Sequence, residues 1–329
     1  MNLARRTFLH LAVGAAALPA MPRIARAQSY PSRPVTMIVP WPAGGPSDTI
    51  ARIMAERMRP SLSQPVIIEN VTGASGSIGV GRVSRSAGDG YTLCLGSWPT
   101  HVVNGAVFAL QYNVLSDFEP ISLLATQPQL IIAKNAMPAR DLKELIVWLK
   151  ANPDKASQGT SGAGSPAHVV GVYFQRETGT RFQFVPYRGV NLAAQDLLAG
   201  QIDIMIDLAA NSLSQVRAGT IKAYAVTAKS RLAAAPDVPT VDEAGLPDFY
   251  TSVWHALFVP KATPKTVIDR LNAAVVDALA DPAVRQRFAD LGMEMPPREQ
   301  QTPQALRDFH KAEIEKWWPI IKTAGIKAE

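Results

Sequence analysis

The sequence predicts an α/β protein folded as two lobes, each built on a mainly parallel sheet. Short apolar runs of strand length alternate with segments of helical period. Loops rich in glycine, serine and proline mark most of the changeovers. The 329 residues are also enough for two hydrophobic cores rather than one.

In chain order, the alternation opens with residues 35–39 (VTMIV), which read as a short buried strand. Residues 40–46 form a Pro/Gly turn. Ile50, Ile53, Met54, Arg57 and Met58 then recur at helical spacing, with Ser47 or Asp48 placed to cap the helix start. Residues 66–69 are the next strand, entering a loop at 72–79, and a second helix begins near Ile78. Residues 91–95 form a third strand, and 142–149 an amphipathic helix halted at Asn152 and Pro153. The loop at 159–166 opens a helix carrying Val169, Val170, Tyr173 and Phe174. Pro166 suits its first turn and Gly179 its end.

The pattern continues with a strand at 184–186, the turn Tyr187, Arg188 and Gly189, and a helix over 192–198 closed by Gly200. Residues 202–206 form a strand, followed by Asp207 and a short helix ending at Gly219. Residues 221–227 are again a strand. From Pro264 the chain turns mostly helical, over 267–279 and 303–318. No repeat of solenoid length is present.

Residues 1–27 read as an export signal. Arg5 and Arg6 precede an apolar run at 11–20, and Ala25, Arg26 and Ala27 form a small-x-small cleavage site, which places the cut after Ala27. The arginine pair before Thr7, Phe8 and Leu9 resembles a twin-arginine signal. The alternative, a membrane anchor or buried helix, is disfavoured because spanning a bilayer needs about 20 apolar residues. Arg5, Arg6, Arg23 and Arg26 are the charged residues of this segment, so the formal charge of +6 becomes +2 without them. That balance, with no dense Lys/Arg run elsewhere, argues against a nucleic-acid partner. Cys94 is the single cysteine, which excludes an internal disulfide and a Cys-based zinc site.

Three loops carry the expected chemistry, each at the end of a strand and the start of a helix: 42–48 (PAGGPSD), 72–79 (TGASGSIG) and 160–168 (TSGAGSPAH). A helix start exposes unpaired N–H groups and about half a positive charge. Glycines let a ligand approach the backbone. Such a site holds an anion without Lys or Arg. One helix end contributes only about 0.3–1 kcal/mol, whereas micromolar affinity needs about −8 kcal/mol, so donors from both lobes must converge.

In order along the chain, VPWPAGGPSDTIAR (39–52), TGASGSIG, DGYTL (89–93), GSPAH (164–168), VPYRG (185–189), AGQID (199–203), DVPTVDEAGLP (237–247) and WHALFVPKATP (254–264) resemble the substrate-binding receptors of tripartite tricarboxylate transporters, the Bug-type receptors. The resemblance spans nearly all of the chain after residue 27. It implies a periplasmic binding protein-like fold of type II, with two α/β lobes joined by crossover strands and the ligand cleft between them. It also implies a periplasmic location, a small carboxylate ligand (a di- or tricarboxylate or an aromatic carboxylate), delivery to a membrane permease, and action as a monomer without cofactor or metal. The lobes are placed at 28–122 with 232–329, and at 123–231.

The ligand-binding residues expected on these grounds are Trp41, Ala43, Gly44, Gly45, Ser47 and Asp48 from the first loop, with Ser75 and Ser97 beside it. The opposite lobe supplies Thr160, Ser161, Gly162, Ser165, His168, Tyr187 and, by resemblance, Asp207. Several have structural readings as well. Asp48 and Ser165 are natural helix caps, His168 is suited to fixing its loop, and Trp41 and Trp98 either stack on an aromatic acid or fill packing space. Trp254, Trp317 and Trp318 read as packing residues. Trp41 stands where the family often has Phe, and Trp98 and Pro99 stand where smaller polar residues are commoner.

Catalytic signatures are missing. The Gly-x-Ser-x-Gly elbow fails because Gly76 and Gly162 fall one residue early. No phosphate-binding GxxxxGK[ST] run occurs, and His101, His168, His255 and His310 lie at no metal-ligand spacing. The expectation is a non-enzymatic receptor, against two alternatives: an exported enzyme acting on carboxylates, and a sensor presenting its closed form to a membrane kinase.

Overall fold

A computed structural model describes residues 30–327. The expected export signal and its cut after Ala27 lie outside the described residues. The first apolar run forms β1 (Val35–Val39), and the Pro/Gly turn leads into α1 (Pro46–Leu62). Then follow β2 (Val66–Asn70), α2 (Ser77–Ser84), β3 (Thr92–Ser97), the short α3 (Asn104–Val107) and a strand of 17 residues, β4 (Phe118–Lys134). The middle of the chain forms α4 (Leu142–Ala151), β5 (Ser157–Thr160), α5 (Pro166–Thr178), β6 (Gln183–Pro186), α6 (Val190–Leu198), β7 (Ile204–Leu208), α7 (Ala209–Arg217) and β8 (Ile221–Val226). It ends with β9 (Ser252–Pro260), α8 (Lys265–Ala280), α9 (Pro282–Asp290) and α10 (Pro303–Thr323).

The strands run in the order β2-β1-β3-β9-β4-β7-β5-β6, with β8 also on β4. The two wings are parallel, β1 with β2 and β3, and β5 with β6 and β7. The centre is antiparallel: β9 pairs with β3 and with the first part of β4, while the second part of β4 pairs with β7 and β8. Thus β4 passes from one lobe into the other, and β9 runs beside it. Neither strand is evident in the sequence as a single run. Pro120 and Pro128 interrupt β4, and its pairing with β9 shifts register near Pro120 and again between Leu123 and Ala125. Proline cannot donate to the ladder, and such irregularities mask the strand pattern.

In α1, Ile50, Ile53, Met54 and Met58 turn inward against Leu257, Leu271 and Val275, while Arg57 faces solvent. Each such buried side chain contributes roughly 1.5–3 kcal/mol. A second core packs Leu130, Ile132 and Met205 against α6 and α7 through Leu197 and Leu213. Leu232, Ala235 and Val238 belong to that same core, and Val226 bridges Thr240. This stretch therefore packs against the second part of β4 before the chain enters β9. Trp98, just after β3, meets Trp317 of α10 edge-on at 5.1 Å between ring centres, and Trp254 on β9 is fully buried. These tryptophans are packing residues.

Candidate functional site

Two adjoining cavities lie where the lobes meet. The larger, ≈500 Å³, has a floor of Ser97, Gln127, Val253 and His255, supplied by β3, β4 and β9. Trp41, Pro42, Ala43, Gly44, Gly45, Pro46 and Ser47 wall it on one side, with Pro99 nearby, and Pro166 and Leu208 wall it from the other lobe. The smaller, ≈180 Å³, is lined by Ser75, Asn104 and the α3 region, and by Ser161, Ala163, Gly164 and Ser165. Trp41, Pro99 and Pro166 border both. The loops 42–48 and 160–168 therefore open onto one hollow.

The first loop is built to present amides. Gly44 has φ +81°, a conformation that favours glycine. Gly45 is the N-cap of α1 with extended geometry, and no side chain caps the helix. Pro46 has no N–H. Among the described residues, the N–H groups of Gly45, Ser47 and Asp48 have no partner within the chain. This is the exposed positive end of a 17-residue helix.

Neither Ser47 nor Asp48 is the helix cap. Both lie inside the first turn because Pro46, already favourable at a first helical position, starts the helix earlier. Asp48 instead reaches back to accept the Gly44 N–H at 2.9 Å, and also accepts from Arg52 at 2.8 Å and Asn70 at 3.0 Å. The Arg52 hydrogen bond does most to hold its carboxyl down at about 2, against an opposing effect of burial. Asp48 thus fixes the glycine loop as a charged, fully engaged carboxylate. Ser47 places its hydroxyl 2.9 Å from His255 Nε2. Burial lowers the His255 pKa to about 4, so the ring is neutral at physiological pH, and its Nδ1 has no partner among the described residues.

The third loop uses most of its donors internally. The Gly162 N–H donates to Thr160 Oγ1 at 3.3 Å, and the Gly164 N–H to His168 Nδ1 at 3.1 Å. Ser165 caps α5 by accepting the His168 N–H at 3.3 Å. Its ring engaged by Gly164 and set edge-on to Phe184, His168 fixes the loop instead of meeting the cavity. The hydroxyl-bearing Ser161 and Ser165 remain on the smaller cavity.

Two further expected residues sit behind the walls. The Tyr187 hydroxyl donates to Asp196 at 2.7 Å. Asp207 is buried, accepting from the Leu208 N–H at 2.8 Å, Asn211 at 3.0 Å and Ser212 at 2.7 Å. Successive residues on a strand face opposite ways, so Leu208 meets the cavity and Asp207 does not. Burial raises the Asp207 pKa against these three hydrogen bonds. Conversely, Gln127, Val253, His255 and Leu208 on the cavity surface were missed. A polar Gln127 in the apolar run of β4 and His255 within β9 were the available signals.

Two α/β lobes, crossed by a pair of long strands and meeting at a cleft fed by helix starts, define a periplasmic binding protein-like fold. The family model for the tripartite tricarboxylate transporter family receptor matches residues 50–326, and the chain belongs to that family. A UPF0065 protein in the TAR-I ttuE-ttuC' intergenic region of Agrobacterium vitis is 40% identical over 93% of this chain and 88% of its own. The periplasmic binding protein BugD superposes with a TM-score of 0.76 at 38% identity, covering 91% of this chain and 100% of BugD. MatC from Rhodopseudomonas palustris, solved with bound malate, gives 0.76 and 38%, covering 89% of this chain and 100% of MatC.

Proposed function

We propose that the chain is an exported receptor that captures a small carboxylate in this cleft and delivers it to the membrane permease of a tripartite tricarboxylate-type transporter. Residues 1–27 are removed on export, and the mature receptor works as a monomer in the periplasm. The observation that carries the reading is the uncapped start of α1 behind Gly44 and Gly45, opening on a cavity that the second lobe also walls. No lysine or arginine among the described residues lines either cavity, so peptide amides are the available counter-charge. The malate held by MatC supports the ligand class.

A thermal-shift screen against dicarboxylates, tricarboxylates and aromatic carboxylates tests this. A ligand at 100 times its Kd adds about 2.7 kcal/mol of stability, and the expected result is a rise of several degrees with at least one acid and no turnover. No shift with any of them, or accumulation of a product, contradicts the proposal.

A further inference from the structure

The cavity floor is one face of the sheet at the crossing. Ser97 lies opposite His255, and Gln127 opposite Val253. Val253 and His255 are two apart on β9 and so point the same way. Gln127 is only 1% exposed, and neither its amide oxygen nor its nitrogen has a hydrogen-bond partner among the described residues. Buried polar atoms are nearly always paired in folded proteins. An amide left this way, facing a cavity between two lobes, is a group awaiting a partner from the occupant. The surrounding surface is apolar: Trp41, Pro46, Pro99, Leu208 and Val253.

Resting on the carboxylate reading of the same cleft, we propose that Gln127 determines ligand specificity by pairing with a neutral hydroxyl or amide on an acid that has one carboxylate and an apolar body. A glutamine amide offers both a donor and an acceptor, and a hydroxyl can answer either. A second carboxylate at this floor would place its charge against apolar walls and the Gln127 carbonyl with no cation to balance it, which is costly. The first loop then holds the single carboxylate through its amides while Gln127 reads the other pole. His255, with Nε2 on Ser47 and Nδ1 unpartnered among the described residues, ties that pole to the first turn of α1.

The test measures affinities by calorimetry for two matched pairs, benzoate with 4-hydroxybenzoate and hexanoate with 6-hydroxyhexanoate, together with citrate. The wild type is expected to bind at least one hydroxylated acid tenfold or more tightly than its parent, and more tightly than citrate. In Gln127→Leu that ratio falls to near one. The same variant, having lost an unpaired buried amide to a side chain of similar size, is expected to melt at a higher temperature than the wild type without ligand, which also shows that it folds. Citrate binding most tightly, no advantage for either hydroxylated acid, or an advantage that survives Gln127→Leu overturns the inference and leaves the receptor reading standing. Failure of every acid in the wider carboxylate screen to bind overturns both.

Discussion

Gly45→Val is expected to abolish carboxylate binding while the protein stays folded. The position has ordinary extended geometry, with φ −80°, so valine meets no backbone strain there. A Cβ would sit 3.5 Å from the Pro42 carbonyl, an ordinary contact. Nothing else crowds that Cβ, and the methyl groups beyond it, carried at the N-cap itself, are expected to occupy the space in front of the free amides. The substitution therefore acts by bulk alone, since the positive φ in this loop belongs to Gly44. Exchanging glycine for a poor N-cap residue costs the helix about 1 kcal/mol or less, whereas blocking the anion site removes at least 100-fold in affinity, roughly 2.7 kcal/mol. Calorimetric titration of the best acid from the screen, beside circular dichroism, separates the two. Unchanged affinity would place the ligand elsewhere.

Asp48→Ala is expected to weaken both the fold and the site. It removes the carboxylate that holds the Gly44 N–H, Arg52 and Asn70 together. Hydrogen bonds to a charged group are worth about 1.5–3 kcal/mol each, but Arg52 is largely solvated and recovers water, so a net loss of about 2 kcal/mol is expected in urea unfolding. Affinity falls at least tenfold because the Gly44 turn is no longer fixed, and Asp48→Asn, which keeps an acceptor, recovers part of it. The acid response follows from the direction of the shift. The folded-state pKa, at about 2, lies below the ordinary 3.8, so the unfolded chain binds the proton first as pH falls. The stabilisation is complete above about pH 4 and is lost toward pH 2. The wild type should show this loss between pH 4 and 2, and Asp48→Ala should lack that contribution. Parallel acid profiles would mean that Asp48 is not engaged in this way.

Much of the wings was legible because their signals are local. Residues 35–39 read as a strand and form β1, and the helix halted at Asn152 and Pro153 is α4, ending at Ala151. Ser165 and Gly179 begin and end α5 as cap and left-handed stop, with Gly179 at φ +62°. The crossing strands were not legible as strands. In β4, prolines break a run that is held in place by partners far away in sequence, and β9 is buried along nearly its whole length, so it shows no alternation. The site divided along the same line. Gly44, Gly45, Ser47 and Trp41 could be read from a loop motif, whereas Gln127 and His255 reach the cavity only because β4 and β9 cross beneath it. His168, Thr160 and Asp207 carried the right chemistry in the right loops. Which way a side chain turns at a strand end or in a helix's first turn is set by its neighbours, and each of these three is bonded within its own loop or helix start.

The most direct measurement is a crystal structure of the protein with the tightest-binding acid from the screen. The expected complex has the carboxylate within hydrogen-bonding distance of the main-chain nitrogens of Gly45 and Ser47. A carboxylate held instead by an arginine or lysine side chain, or seated away from the start of α1, would contradict it.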